Sequence, residues 1–330
     1  MELQVLMTAD DFKCRCKSRF IGTWRSFRYV AMTALVGLLL PSCETDITLD
    51  LPPQEEKLVV EGHIETGTFP YVVLTKNFSL FTGVDPEQVQ NLFVHDAAVI
   101  VSDGQNDFEL TEFCISTLSE PLKTMVLDYL GINEEDLAGL DFCAYVTLSL
   151  TGEEGKVYRL TVQTADHHLQ ALTAVPHNVK IDSLWSIPAN VMPDSLRVLW
   201  MQFREPDTFG NYYRYWTKAN NEPFYPGYFG SVLDDQFFNG EIFSFNLDRG
   251  YPGNASIDFE TYGLFGVGDT IIVKIAMIDK AHYDFWRTVE QQYLSGGGPF
   301  STPTYIRSNV NGGLGIWGGY GAVYDTVVLK

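Results

Sequence analysis

The chain has 330 residues and carries 22 lysines and arginines against 42 aspartates and glutamates, which gives a formal net charge of −20. A charge of this sign repels nucleic acid, anionic lipid head groups and anionic substrates, so it argues against nucleic-acid binding and against membrane docking through a basic patch. The length exceeds that of one typical domain and predicts two domains, each with an adequate hydrophobic core.

Residues 1–42 have the features of an export signal. All six basic residues of this segment precede an apolar run at residues 30–40, which is too short to span a bilayer, since a spanning helix needs roughly 20 residues. Leu40, Ser42 and Cys43 follow in the order of a bacterial lipobox, in which the cysteine thiol takes a diacylglycerol and becomes the new N-terminus. The sequence therefore predicts a lipoprotein signal peptide over residues 1–42 and a lipid anchor at Cys43.

The segment after this cysteine is acidic and contains Pro52-Pro53, so residues 43–56 are predicted to form an extended tether. Alternating residues then predict a strand with an apolar and a polar face: Leu58, Val60 and Ile64 against Glu61, His63 and Glu65. Further strands are predicted at residues 71–76, 97–102, 108–113 and 156–164, with a hairpin turn at Asp103-Gly104-Gln105-Asn106. Residues 121–140 show helical periodicity in two pieces, with Asn133 as the N-cap of the second.

Two cysteines of the mature chain, Cys114 and Cys143, remain available for a disulfide in an oxidising compartment. A bridge between them would close a loop of about 30 residues and contribute roughly 3 kcal/mol by the loop-entropy argument. Two separate buried thiols are an equally good interpretation, because spacing alone does not show that the Cα atoms approach within about 7 Å.

A second domain is predicted after the hairpin at Asp166-His167-His168. Its strands are predicted at residues 195–203, 212–218, 269–278 and 322–329, and a helix at residues 281–294 is expected to pack Phe285, Trp286, Val289 and Tyr293 on the sheet. The predicted fold is all-β, with two β-sandwich domains of the immunoglobulin or transthyretin type at residues 57–177 and 178–330 and a few short helices.

Three short patterns suggest ligand chemistry, but their context favours plainer interpretations. The G-x-G-x-x-G at residues 313–318 lacks the strand-turn-helix unit of a dinucleotide site, so its glycines are expected to allow a sharp turn and close packing. His167 and His168 point apart on an extended chain, which favours a solvated turn over a metal site. Asp234-Asp235 with Asn239-Gly240-Glu241 offers oxygen ligands for calcium but favours an exposed acidic loop. We predict no cofactor and no metal, with calcium as the alternative.

Aromatic residues crowd a segment that is rich in glycine, proline and asparagine. Tyr213, Tyr215 and Trp216 fit a strand and are expected to fill the second core. The candidate contacts for a ligand or a partner are Tyr225, Tyr228, Phe229 and Trp317. For the first three, packing in the protein and contact with a sugar, a peptide or a partner are equally good interpretations, and Trp317 is either packed or displayed.

Several segments together resemble one family of outer-membrane lipoproteins. They are the lipobox cysteine, the acidic tether, Leu58-Val59-Val60-Glu61-Gly62, Tyr158-Arg159-Leu160, Pro206 ahead of Asn211-Tyr212-Tyr213-Arg214, the helix at residues 283–292 and Gly312-Gly313-Leu314-Gly315-Ile316-Trp317-Gly318-Gly319-Tyr320. Their order over nearly the whole mature chain looks like the Bacteroidota lipoproteins known as domain of unknown function 4249. His63 departs from the pattern, because the family often has an aromatic residue there.

The resemblance implies a protein encoded beside TonB-dependent outer-membrane receptors, and it supplies no catalytic residues. We therefore expect a non-enzymatic accessory or ligand-binding lipoprotein that works with such a receptor in nutrient capture or uptake. Glu44, Asp46 and Asp50 resemble the acidic export signals of these lipoproteins and indicate that the anchored protein faces the cell exterior. The alternative is a surface hydrolase acting on glycan or peptide, which clustered carboxylates in a pocket, one with a raised pKa, would favour.

Overall fold

A computed structural model describes residues 55–77, 91–130, 137, 140–192, 194–252, 255–295 and 304–330. The predicted signal peptide, Cys43, nearly all of the predicted tether and the predicted N-cap Asn133 lie outside these residues. Among the described residues, no helix is both long enough and apolar enough to cross a membrane.

The described residues form strands for the most part. The strands are β1 (Leu58–Glu65), β2 (Tyr71–Lys76), β3 (Ala98–Ser102), β4 (Asp107–Cys114), β5 (Cys143–Val146), β6 (Val157–Gln163), β7 (His168–Ala174), β8 (Ile181–Pro188), β9 (Leu196–Arg204), β10 (Tyr212–Ala219), β11 (Tyr225–Pro226), β12 (Val232–Asp234), β13 (Ile242–Leu247), β14 (Phe265–Gly266), β15 (Thr270–Ile278), β16 (Val310–Asn311) and β17 (Leu314–Val328). The helices are α1 (Glu120–Leu130) and α2 (Lys280–Ser295), and Ile115–Thr117 forms a 3₁₀ turn. The predicted all-β fold with a few helices is confirmed.

Thirteen of the strands form one sheet, in the order β11-β10-β15-β17-β1-β2-β5-β4-β3-β6-β7-β16, with β12 also paired to β10. The last strand, β17, lies between β1 and β15, and it pairs parallel with β1 and antiparallel with β15. This pairing brings the first described strand of the chain next to strands from its last third. The remaining strands, β8, β9, β13 and β14, form a second sheet.

Two clusters of buried side chains lie on the inner side of the large sheet. The first has side chains from strands β1 to β7, β16 and β17, and includes Tyr158 and Trp317. The second lies between the four-stranded sheet and strands β10, β15 and β17, and includes Phe203 and Tyr213. Residues 54–330 nevertheless form one compact unit, so the domain boundary at residues 177 and 178 stays a prediction.

The glycine-rich segment near the C-terminus is part of a strand, which corrects the predicted loop followed by a strand at residues 322–329. Its glycines permit close backbone approach, because a Cβ atom at Gly319 would overlap the carbonyl oxygen of Ala174 and one at Gly321 that of Pro176. Gly315 adopts φ +102° beside Val60, a conformation that favours glycine. These contacts bear out the packing interpretation of the G-x-G-x-x-G pattern.

The side chains that α2 packs on the sheet differ in part from the predicted stripe. His282 and Tyr283 are buried, whereas Tyr293 is 76% exposed. The reason is local, because Gly318 lacks a side chain where the imidazole of His282 packs on β17. Trp286 does pack on the sheet as predicted, since the guanidinium of Arg214 on β10 lies over its ring. Helix α2 therefore faces the sheet through His282, Tyr283 and Trp286.

Candidate functional site

A cleft opens on the outer face of the large sheet, opposite the two buried clusters. Strand alternation builds it, since β1, β10, β15 and β17 each bury one set of side chains in a core and turn the other set to this face. The cleft has a volume of about 460 Å³, within the range of ligand pockets. The residues that line it and are used below are Glu61, His63, Glu65, Thr68, Tyr71, Arg214, Trp216, Lys218, Lys274, His282, Trp286, Tyr320 and Tyr324.

An ion pair between Lys274 and Glu65 occupies the floor of the cleft. The ammonium donates to one oxygen of Glu65, and the hydroxyl of Tyr324 donates to the other. The two ionic side chains are only 13% and 3% exposed, and the ammonium lies 4.7 Å from the ring centre of Trp216. Burial lowers the pKa of Lys274, and the carboxylate of Glu65 opposes that change. Each charge therefore depends on the other to offset the free-energy cost of its burial.

Arg214 is the most unusual charge of the cleft. Its guanidinium carbon lies 3.4 Å from the ring centre of Trp286 and 4.8 Å from that of Trp216, so the cation contacts the faces of two indoles. Its Nε donates to the hydroxyl of Ser231 at 3.1 Å, and Nη1 donates to the hydroxyl of Tyr320 at 3.3 Å. Within the described chain, no carboxylate oxygen lies within 4.0 Å of it.

The environment of Arg214 suits an anionic ligand. The side chain is 5% exposed, and burial lowers its pKa, yet a guanidinium keeps its charge in proteins. Its neighbour Ser231 is held by Glu290, whose carboxylate accepts from the serine hydroxyl at 2.5 Å. The direct contacts of the guanidinium are two neutral hydroxyls and two rings, while the carboxylates of Glu290 and Glu61 act on it only from beyond 4.0 Å. An anion in direct contact with it would therefore bind favourably.

Two histidines complete the polar wall. The His63 ring centre lies 4.1 Å from that of Tyr71 and 5.5 Å from that of Tyr320. The Nε2 atom of His282 lies 3.0 Å from the hydroxyl oxygen of Tyr320. Burial lowers the pKa of both imidazoles, and the cations of Lys274 and Arg214 lower it further. Both histidines are therefore neutral near pH 7 and contribute hydrogen-bonding groups rather than charge.

The local charge of the cleft opposes that of the whole chain. Three cations, Arg214, Lys218 and Lys274, face two carboxylates, Glu61 and Glu65. The side chain of Glu61 is accessible to solvent but lies inside the cleft, among many protein atoms. This partial burial raises the pKa of Glu61, and the charge of Arg214 opposes the rise. The net charge of −20 argues against anionic substrates for the surface as a whole, and the cleft is a local exception.

The four predicted contact residues differ in their exposure to solvent. Trp317 is fully buried and its indole N–H donates to the carbonyl of Tyr158 at 3.2 Å, so it is packed in the first cluster and is not displayed for contact. Tyr225 is half-buried in β11. Tyr228 and Phe229 are 40% and 43% exposed and form a patch with Phe259 and Tyr262, which we call the aromatic patch. Their role in binding stays a prediction.

The predicted core role of the β10 aromatics holds for two of three residues. Tyr213 and Tyr215 are buried in the second cluster. Trp216 lies on the opposite face of the strand, where it lines the cleft. Alternation along one strand explains the difference, since Trp216 is adjacent in sequence to Tyr215 and so points the other way.

Cys114 and Cys143 are joined by a disulfide across neighbouring strands, with Cα atoms 4.1 Å apart. His95 and Glu112 lie beside it, and potential ligand atoms of all four residues are within 4.8 Å of one another. Because the bridge engages both sulfurs, His95 and Glu112 are the two groups left to hold a cation. Their own contact is a hydrogen bond of 2.5 Å between Nδ1 and Oε1.

The two other patterns with possible ligands have structural roles. Asp235 is 2% exposed, and its carboxylate accepts from the backbone N–H groups of Gly210 and Asn211 at 2.6 and 2.9 Å. The expectation of an exposed acidic loop is therefore wrong for this residue, because its carboxylate fixes a backbone turn. At the hairpin tip, His168 Nδ1 lies 2.8 Å from Oε1 of Gln163, a contact across the hairpin.

Sequence reasoning identified the polar face of β1 but missed the cationic residues of the cleft. A usable signal was Lys274, the one charged residue in the strand Thr270–Ile278, which is otherwise apolar after its first residue. Arg214 offered a weaker signal as a cation between tyrosines in Tyr212–Ala219. Neither pattern shows that the two strands are neighbours.

A family model described as domain of unknown function (DUF4249) matches residues 44–324 of the chain. This range includes every residue of the cleft. No curated protein matches the chain.

Proposed function

The chain belongs to the family described as domain of unknown function (DUF4249), and from this premise we propose that it is a ligand-binding lipoprotein. It is anchored in the outer membrane through Cys43, faces the cell exterior, and holds an anionic ligand in the cleft. A TonB-dependent receptor is its partner in nutrient capture or uptake. The order of lipobox, acidic tether and folded chain supports the anchor, and the resemblance to Bacteroidota lipoproteins supports the receptor.

The observation that carries ligand binding is Arg214, a buried cation that contacts the rings of Trp216 and Trp286 and has no carboxylate within 4.0 Å among the described residues. The surrounding rings offer flat apolar surface, and the guanidinium offers charged N–H donors to a carboxylate. An anionic group attached to a flat or apolar body fits both features.

The test compares benzoate with benzamide, which has the same ring and no charge. The tryptophans beside Arg214 report binding through their intrinsic fluorescence. We expect benzoate to bind at least tenfold more tightly than benzamide, since a hydrogen bond to a charged group is worth about 1.5 to 3 kcal/mol. Arg214→Gln should abolish the difference, whereas Arg204→Gln, at an exposed position of β9, should preserve it. Equal binding of the two probes by the wild-type protein would refute an anion site.

A surface hydrolase is the second candidate, because Glu61 and Glu65 share the cleft and burial raises the pKa of Glu61. Two observations favour binding over hydrolysis. Residues four apart on a strand have Cα atoms roughly 13 Å apart, which is wide for a glycosidase pair. Glu65 is also engaged by Lys274 and Tyr324. Release of product from a glycan or peptide library by the wild type and not by Glu61→Gln would establish the hydrolase.

A further inference from the structure

An apolar groove lies beside the cleft, between α1 and strands β4 and β5. Its volume is about 370 Å³, and nearly all of its surface is contributed by apolar atoms. Residues of its wall include Phe69, Tyr71, Phe113, Met125, Val146 and Leu148. Met125 and Leu148 are 61% and 74% exposed, so the groove is open to solvent. Contiguous exposed apolar surface of this kind marks a place where an apolar group binds.

The groove and the cleft meet at Tyr71, which lines both. Tyr71 pairs with His63 of β1 on one side and with Val146 of β5 on the other, and residues directly opposite each other share one sheet face. His63 belongs to the cleft and Val146 to the groove, so two inter-strand spacings, roughly 10 Å, separate the two walls. Thr68 and Phe69 are adjacent in the chain and also lie where the two sites meet. Thr68 lines the cleft and Phe69 lines the groove.

A cationic group stands at the far side of this junction. The ring of His63 contacts that of Tyr320 at 5.5 Å, and the hydroxyl of Tyr320 accepts from Arg214 at 3.3 Å. From the groove, a ligand would therefore pass Tyr71 and His63 before it reaches the guanidinium. The cleft carries three cations against two carboxylates, a net charge that one carboxylate would balance.

We infer that the cleft and the groove form one continuous site for a fatty carboxylate, with the head group at Arg214 and the acyl chain across Tyr71 in the groove. The inference rests on the proposed function and deepens it, because it names the ligand class. We assign a carboxylate head group because it complements the positive charge of the cleft. We assign an acyl chain because the groove is lined by apolar atoms. A ring-based carboxylate would occupy the cleft alone and leave the groove empty.

The experiment measures binding of hexanoate, decanoate and decanol by calorimetry, below their critical micelle concentrations. The protein is the mature chain with Cys43→Ala, purified without detergent; it retains residues 54–330, which form one compact unit. Burial of one CH₂ group is worth about a fourfold gain in affinity, so we expect decanoate to bind about two orders of magnitude more tightly than hexanoate. Decanol, which lacks the charge, should bind at least tenfold more weakly than decanoate.

Groove variants separate the two halves of the site. Met125→Glu and Leu148→Glu change exposed side chains and should remove the gain from hexanoate to decanoate while leaving hexanoate binding unchanged. Leu172→Glu is the matched control, since Leu172 is 53% exposed on β7 outside the groove and should behave like the wild type.

Equal affinities for hexanoate and decanoate would overturn the inference while benzoate binding still upheld the proposed function. Equal affinities for decanoate and decanol would overturn the assigned head group. Absence of binding by benzoate and by every fatty acid would overturn both the inference and the proposed anion site.

Discussion

Glu65 and Lys274 form an ion pair inside the cleft, although 209 positions separate them in the chain. The contact exists because β17 lies between β1 and β15 and so brings the two strands onto one sheet face. Removing one partner of such a pair leaves an uncompensated buried charge, which is more costly than the pair itself is favourable.

Lys274→Met should therefore lower the free energy of unfolding by about 3 to 5 kcal/mol. Urea denaturation at pH 7 measures the loss. The matched control is Lys156→Met, which breaks the exposed pair of Lys156 with Glu153 and should change stability little. Equal effects of the two substitutions would show that the cleft pair is solvated.

The stability of the protein should fall below about pH 6.5, in part through His282. Burial is the main reason that the pKa of His282 is lowered to about 3, while an unfolded histidine titrates near 6.5. Between these values the unfolded chain binds a proton that the folded protein excludes. The contribution is thus fully present above about pH 6.5 and decreases by about 1.4 kcal/mol per pH unit as the pH falls toward 3.

His282→Gln should reduce the pH dependence of unfolding between about pH 6.5 and 5 by close to one proton. Part of the slope should remain, because burial and nearby cations also lower the pKa of His63. Urea denaturation at several pH values measures the slope. His168→Gln, at an exposed hairpin position, serves as the control and should keep the wild-type slope. A variant slope equal to that of the wild type would contradict the assignment.

How much the sequence predicts depends on the range of the interactions. Alternation in Leu58–Glu65 separates a core face from a polar face, and the pattern correctly places Glu61 and His63 together. Pairing of β1 with β17 depends on contacts between the two ends of the described chain, and no local pattern encodes them. The stacking of Arg214 on Trp286 likewise requires the position of α2 on the sheet, which the helical period alone does not determine.

The disulfide between Cys114 and Cys143 should stabilise the folded protein by about 3 kcal/mol, because it closes a loop across 29 positions in the unfolded chain. Peptide mapping without reductant should recover the two cysteines in one linked fragment from protein taken from the cell envelope. The double substitution to serine should lower the urea midpoint by the corresponding amount. Recovery of two separately alkylated thiols from the envelope protein would exclude the bridge.

Cys43 is predicted to carry the lipid anchor. Cys43→Ala should move the protein from the membrane fraction to the soluble fraction, since the acyl chains supply the membrane affinity. Mass spectrometry of the wild-type N-terminal fragment should show acyl chains on the cysteine. Retention of the variant in membranes, together with an unmodified cysteine in the wild type, would rule out the anchor.

Protease added to intact cells should digest the wild-type protein if it faces the exterior.

The aromatic patch is predicted to contact the receptor. Tyr228 and Phe229 are exposed rings that pack on each other and on Tyr262, so they offer a large rigid surface at low entropic cost. A shared membrane raises the effective concentration of the two proteins, and a small interface is therefore sufficient. Replacing Tyr228 and Phe229 by alanine should weaken co-purification with a TonB-dependent receptor about tenfold or more, which corresponds to the loss of at least one hot-spot contact.

The variants must separate contact from folding. Tyr225 pairs with Thr217 between β11 and β10, so adding Tyr225→Ala to the double variant tests the strand as well as the surface. Phe237→Ala is the matched control, because Phe237 is a 92% exposed ring outside the patch. Thermal unfolding of each variant shows whether the fold is retained. If the double variant is folded and still recovers the receptor as fully as Phe237→Ala does, the patch is not the contact surface. If only the triple variant loses co-purification with the receptor, the loss is due to disruption of β11. The aromatic patch is then likewise not the contact surface.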